Sequence, residues 1–128
     1  MPRSGLRQLR MFKKLCGTTN LSSVILVTTC WDNITEEGGT LHKNNLSSGP
    51  WAGMIQRGSR VMRHDGSRDS ALRVIRLIVD QNTDVVLDIQ SEMVDQGLAF
   101  GETGAGKVVN ELLAEFTTLS IDDSRLLN

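Results

Sequence analysis

Val24-Ile25-Leu26-Val27 is the longest uninterrupted apolar run in the chain, and it constrains the fold more than any other segment. With Ser22-Ser23 before it and Thr28 after it, the run is β-branched and nearly all apolar. That is the pattern of a strand covered on both faces in a parallel sheet. Such a strand needs helices above and below and a neighbour on each edge. Only Ser59-Arg60-Val61-Met62-Arg63 reads as a second strand. Two parallel strands do not make an independent sheet, so the expected α/β layering lacks strands and the chain reads as part of a domain.

Helical segments surround the two strands. Ser4 is placed to cap a helix through about Cys16, closed by Gly17. Leu6, Leu9, Phe12 and Leu15 form its apolar stripe, with Arg7, Arg10, Lys13 and Lys14 largely outside it. Residues 35–49 are polar around Gly38-Gly39 and read as a weak helix or a long loop. Pro50 opens a short helix through about Gln56, carrying Trp51, Met54 and Ile55. Asp69 or Ser70 caps a clear helix whose expected buried side is Leu72, Val74, Ile75, Ile78 and Val79. Acidic helical stretches follow at about 84–96 and 105–117. Strand, helix, strand, helix is the order of an α/β chain with helical crossovers.

Composition narrows the function classes. The 128 residues suit one domain, and no apolar run approaches the length of a membrane helix. The start, Met1-Pro2-Arg3-Ser4-Gly5, lacks the apolar stretch of a secretory signal. Cys16 and Cys30 are too few for a disulfide framework or a zinc site, so a reducing, cytoplasmic setting is expected. Aromatics make up 4% of the chain, with no tyrosine, which argues against a stacking platform for nucleic acid. The net charge of −1 conceals a polarity: residues 1–76 carry +7 and residues 77–128 carry −8. Halves of opposite sign attract each other or face differently charged neighbours, although two solvated helical faces would look the same.

Two segments invite a chemical reading. Gly101-Glu102-Thr103-Gly104-Ala105-Gly106-Lys107 fits the GxxxxGK core of a phosphate loop. That loop must leave a buried strand, enter a helix and be followed by Ser or Thr for magnesium. Here Val108 follows the lysine, and the segment 89–97 has no strand pattern. The glycines read instead as a link between helices, with Gly97, Gly101 and Gly104 as helix stops. The second segment is Val24 to Asp32. In open α/β sheets ligands sit beyond the carboxyl ends of strands, and Asp32 stands in the turn that leaves one. A carboxylate there can accept from the N1–H and exocyclic amino group of guanine, a donor pair that adenine lacks. Losing such a paired acceptor discriminates by roughly 10⁴. The competing role for Asp32 is to cap a helix starting near Asn33 to Thr35.

Leu9 to Gly17, Val24 to Asp32, Met62-Arg63-His64 and Ser70-Ala71 occur in an order that resembles the C-terminal half of a large fungal set of P-loop GTPase-like proteins. These are related to the immunity-associated, septin-like GTPases. The resemblance spans about residues 5–113 and implies a partial three-layer, Rossmann-like P-loop NTPase domain. Two parallel strands and flanking helices are expected, with the first strands and the phosphate loop missing. Residues 1–115 would be the C-terminal part of that domain and 116–128 a divergent tail. Thr-Thr-x-Trp-Asp takes the place of the Asn-Lys-x-Asp guanine motif, so Thr29 falls at the Asn place, Cys30 at the Lys place and Asp32 at the base-reading Asp. Cys30 departs from the pattern, having no stem to lay over the base. His64 falls near the last nucleotide-contacting loop, where Arg63 and His64 otherwise simply solvate a strand end.

The guanine-binding residues implied are therefore Thr29, Asp32 and His64, with GTP as the ligand and no catalytic residue. Magnesium is not expected without the phosphate loop, and no hydrolysis is expected from this chain alone. The expected partners are guanine nucleotide once the domain is completed, and self-association or pairing with a related GTPase domain. Neither nucleic acid nor a membrane span is expected. The alternatives are a non-catalytic interaction module and a truncated product without activity.

Overall fold

A computed structural model describes residues 3–81 and 83–126, with side chains for 5–81 and 83–120. The chain is mostly helical and contains a two-stranded parallel sheet. In chain order the elements are α1 (Arg3–Cys16), β1 (Ile25–Thr28), α2 (Glu36–Ser48), α3 (Ala52–Gln56), β2 (Arg60–Arg63), α4 (Arg68–Gln81), the single turn α5 (Asp88–Gln90) and α6 (Gly104–Leu126). They fall into two compact units: Thr18–Val85, and the residues up to Gly17 together with those from Val86 onward.

The first unit is built on the sheet. β1 and β2 pair in register, Ile25 with Arg60 through Thr28 with Arg63. The strand expected from Ser22 is shorter, because Thr18–Ser23 forms 3-10 turns that bury Leu21. Ser59 is buried beside it, its hydroxyl donating to the Leu21 carbonyl at 2.6 Å. Residues 25–28 are all half-buried, so the double-sided covering expected of this run is incomplete, and among the described residues β1 pairs with β2 alone. Trp31, Trp51 and Met54 supply most of the buried apolar bulk.

Two helices of this unit sharpen the sequence reading, the first resolving its choice between helix and loop. Residues 36–48 form a full helix despite Gly38-Gly39. Thr35 caps it, its Oγ1 accepting from the Gly38 N–H at 3.1 Å, and Glu36 and Glu37 sit in the first turn, where acidic side chains suit the helix dipole. For α4 the capping hydroxyl is that of Ser67, which accepts from the Ser70 N–H at 3.1 Å, rather than Asp69 or Ser70. The stripe assigned to its buried side is only partly covered. Leu72 and Val74 are half-buried, whereas Ile75, Ile78 and Val79 are more than half exposed. A two-stranded sheet offers too little surface to cover five apolar side chains on one helix.

The second unit pairs α1 with α6. Arg10 meets Glu111 at 2.9 Å and Arg7 meets Glu115, so the helices run antiparallel. Cys16, Ala105 and Val108 form its buried seam. α1 already includes Arg3, so Ser4 lies within the helix instead of capping it. The stretch expected at 84–96 is shorter than a full helix: α5 passes into a wide π turn at Ser91–Asp95, ended by Gly97 at φ +68. The helix expected over 105–117 runs on to Leu126 and passes unbroken through residues 115 and 116.

Gly101 to Lys107 is one 3-10 turn, Phe100–Glu102, followed by the start of α6. Gly104 therefore opens a helix instead of stopping one. Thr103 caps it, its fully buried hydroxyl accepting from the Gly106 N–H at 3.0 Å. Gly106 is required there, since a Cβ would collide with the Phe100 carbonyl oxygen. Gly53 in α3, by contrast, has open space where its Cβ would go. Gly106→Ala should lower stability by about 1–3 kcal/mol through overpacking, while Gly53→Ala should raise it by about 0.5–1 kcal/mol. Urea melts of the two variants give both signs.

Candidate functional site

The carboxyl ends of the two parallel strands lie side by side. Thr28 pairs with Arg63, and the next residue, His64, donates its backbone N–H to the Thr28 carbonyl at 2.9 Å. Thr29 and His64 therefore leave the sheet together. Beyond Thr29 the chain turns sharply through Cys30, whose φ of 63 and ψ of 34 are left-handed, a conformation that non-glycine residues adopt at some cost. Trp31–Asn33 then makes one 3-10 turn, closed by the Asn33 N–H on the Cys30 carbonyl at 3.3 Å.

Trp31 fixes this turn. The residue is 8% exposed, and its Nε1–H donates to Thr28 Oγ1 at 2.9 Å. One side of the ring lies so close to α2 that a Cβ on Gly39 would sit 2.5 Å from it. The Arg63 guanidinium stands 3.7 Å from the ring centroid, a cation–π contact. Arg63 also grips Glu36 through both nitrogens, the second bond being 2.9 Å. That grip holds the Glu36 carboxyl below the usual carboxylate range and raises the Arg63 guanidinium. Arg63 is thus a structural clamp, not a residue that merely solvates a strand end.

The other predicted residues take different positions. Asp32 is exposed, and its carboxylate has no hydrogen-bond or ion-pair partner among the described residues. The competing role, capping the next helix, belongs to Thr35. Thr29 is exposed and lines a cleft of about 340 Å³ with Thr28, Cys30, Trp31, Asn33, Ile34, Gly39, His42 and Lys43. Neither Asp32 nor His64 lines that cleft. The His64 ring is half-buried, with Nδ1 3.0 Å from the hydroxyl of the buried Ser70. Ser70 Oγ also accepts from the Asp65 N–H at 3.2 Å. Asp65 in turn accepts from the Ser67 N–H at 2.8 Å, and hydrogen bonds from Ser67 hold its carboxyl below the usual range. The His64 ring is therefore engaged in the entry to α4, which leaves the loop backbone as the part facing the strand ends.

Sequence reasoning missed Arg63, Glu36 and Gly39 as supports of this turn. Their signal lay in the pairing of β1 with β2, which brings residues far apart in sequence to one ring. Among the described residues no group of three or more His, Cys, Asp or Glu could hold a metal ion, and no helix is long and apolar enough to cross a membrane. No protein-family model, curated protein or solved structure matches the chain.

Protonation should loosen the clamp. A carboxyl held below its ordinary value stabilises the fold above its unfolded pKa, and that contribution is lost as pH falls through the folded value. Trp31 emission should therefore shift toward that of an exposed indole as pH drops below the usual carboxylate range, with Trp51→Phe isolating the signal. Glu36→Gln should remove most of this acid limb.

Proposed function

We propose that the turn after β1 and the end of β2 form the base-reading side of a guanine-nucleotide-binding domain of the P-loop GTPase-like kind. The observation that carries this reading is the Asp32 carboxylate: exposed, without a partner among the described residues, and held by the Trp31 clamp just beyond the carboxyl end of a parallel strand. In this role Asp32 accepts from guanine N1–H and the exocyclic amine, Thr29 offers a hydroxyl beside it, and the His64 loop presents backbone. Cys30 leaves the base without the cover that a lysine stem would provide.

The same residues carry no phosphate chemistry. Lys107 is exposed on α6, no strand leads into its loop, and the residue after it is the buried Val108. Neither a magnesium ligand set nor hydrolysis is assigned to these side chains. A second reading, a non-catalytic module that docks on another protein, draws on the exposed Ile75, Ile78 and Val79 of α4.

GTP should bind with a Kd weaker than about 1 mM, the base contacts being worth no more than ~4 kcal/mol. Under millimolar GTP, amide shifts should concentrate at Thr29, Asp32 and His64, with ATP giving less. Asp32→Asn should weaken guanosine and improve xanthosine nucleotides, because the amide offers a donor where the carboxylate accepted. Equal losses for GTP and ATP in Asp32→Ala, or micromolar binding abolished by Lys107→Ala, would overturn the assignment.

A further inference from the structure

The cleft of about 340 Å³ between the turn after β1 and α2 lies at the small end of the range for ligand pockets. Gly39, His42 and Lys43 line it from α2, the latter two standing three and four residues beyond the glycine and so on its side of the helix. Trp31 and the half-exposed Ile34 line it from the turn and give it apolar walls. Its polar groups are unused. Lys43 is half-buried, and among the described residues neither its ammonium, the exposed His42 ring nor the exposed Thr29 hydroxyl has a hydrogen-bond or ion-pair partner. No Asp or Glu lines the cleft, and Glu36, on the same helix, is gripped by Arg63. Apolar walls, one unpaired ammonium and uncharged donors beside it are complementary to an anion that carries an apolar body.

We propose that this cleft binds a small aromatic monocarboxylate, its ring against Trp31 and Ile34 and its carboxylate accepting from the Lys43 ammonium and the Thr29 hydroxyl. Volume sets the size, since a cavity at this end of the range suits a single-ring ligand. Charge sets the head group. One ammonium matches one negative charge, whereas a phosphate group calls for more charged donors than these side chains supply. The site is separate from the base-reading side, because Asp32 and His64 lie outside the cleft and Thr29 alone is shared. It holds or fails independently of any nucleotide.

Titration of the full chain with sodium benzoate at constant ionic strength, followed by amide and indole shifts, tests it. The Thr29, Gly39 and Lys43 amides and the Trp31 indole N–H should shift along one saturable curve with a Kd of about 1 mM, the scale for so small a ligand. Benzamide has the same shape without the charge and should bind about 10-fold more weakly, as the loss of one charge-assisted contact implies. Inorganic phosphate should leave these signals unmoved. Lys43→Met keeps the apolar stem and removes the ammonium, so it should weaken benzoate by about 10-fold and leave benzamide unchanged. Lys107→Gln, which removes an exposed lysine of α6, should alter neither. The proposal is overturned by absence of saturable shifts at the cleft, by benzamide binding as well as benzoate, or by phosphate moving the same signals. It is overturned equally if Lys43→Met binds benzoate as the wild type does. The comparison of benzoate with benzamide uses the unaltered chain and decides the matter even where Lys43→Met fails to fold.

Discussion

The Trp31 side chain is the contact on which the arrangement of the first unit depends. Its indole N–H ties it to the last residue of β1, its ring edge rests against Gly39 in α2, and Arg63 at the end of β2 covers it. One residue thus joins both strands to α2. Burial of so large a ring contributes about 1.5–3 kcal/mol, more than a partly exposed ion pair such as Arg63–Glu36 offers by itself. The ion pair serves chiefly to hold the guanidinium over the ring. Cys30 is driven into a left-handed conformation because the chain must turn within one residue to bring the ring back over the sheet.

In the second unit glycine sets the close approaches. Gly17 carries a positive φ of 85 at the end of α1, where a side chain would collide with the Asp88 carboxylate, and Gly106 lets α6 begin against the Phe100 carbonyl. Burial and the nearby Asp88 charge both push the Cys16 thiol up, which lowers its reactivity. The exposed pairs Arg7–Glu115 and Arg10–Glu111 set register more than they add stability, so the unit relies on its narrow apolar seam. The acidic character of residues 77–128 and the basic character of α1 find a partial explanation here, since α1 and α6 are neighbours of opposite sign.

The sequence already contained the helix of α1 in the three-residue recurrence from Leu6 to Leu15. It also contained both strands, in Val24–Val27 and Arg60–Arg63, because β-branched apolar runs and helical stripes are local signals that survive without tertiary context. The unsuitability of Gly101 to Lys107 as a phosphate loop was legible too, from the missing strand and the Val108 that follows the lysine. Other features required the folded chain. Residues 36–48 are helical because Thr35 caps them and Trp31 needs Gly39 against its ring, a demand that helix propensity alone does not register. The exposure of Ile75, Ile78 and Val79 depends on how much sheet is present to cover them, which no pattern within α4 can state.

At the candidate site the division is the same. Strand hydropathy placed Asp32 just beyond a carboxyl strand end, and that position follows from the sequence by itself. That its carboxylate has no partner among the described residues while Thr35 takes the helix cap was decided by the folded structure. So was the recruitment of Arg63 and Glu36, 27 positions apart, to steady Trp31. Pairing of parallel strands brings together residues more than 25 positions apart, and a hydrogen bond between such residues leaves no trace in the local sequence of either.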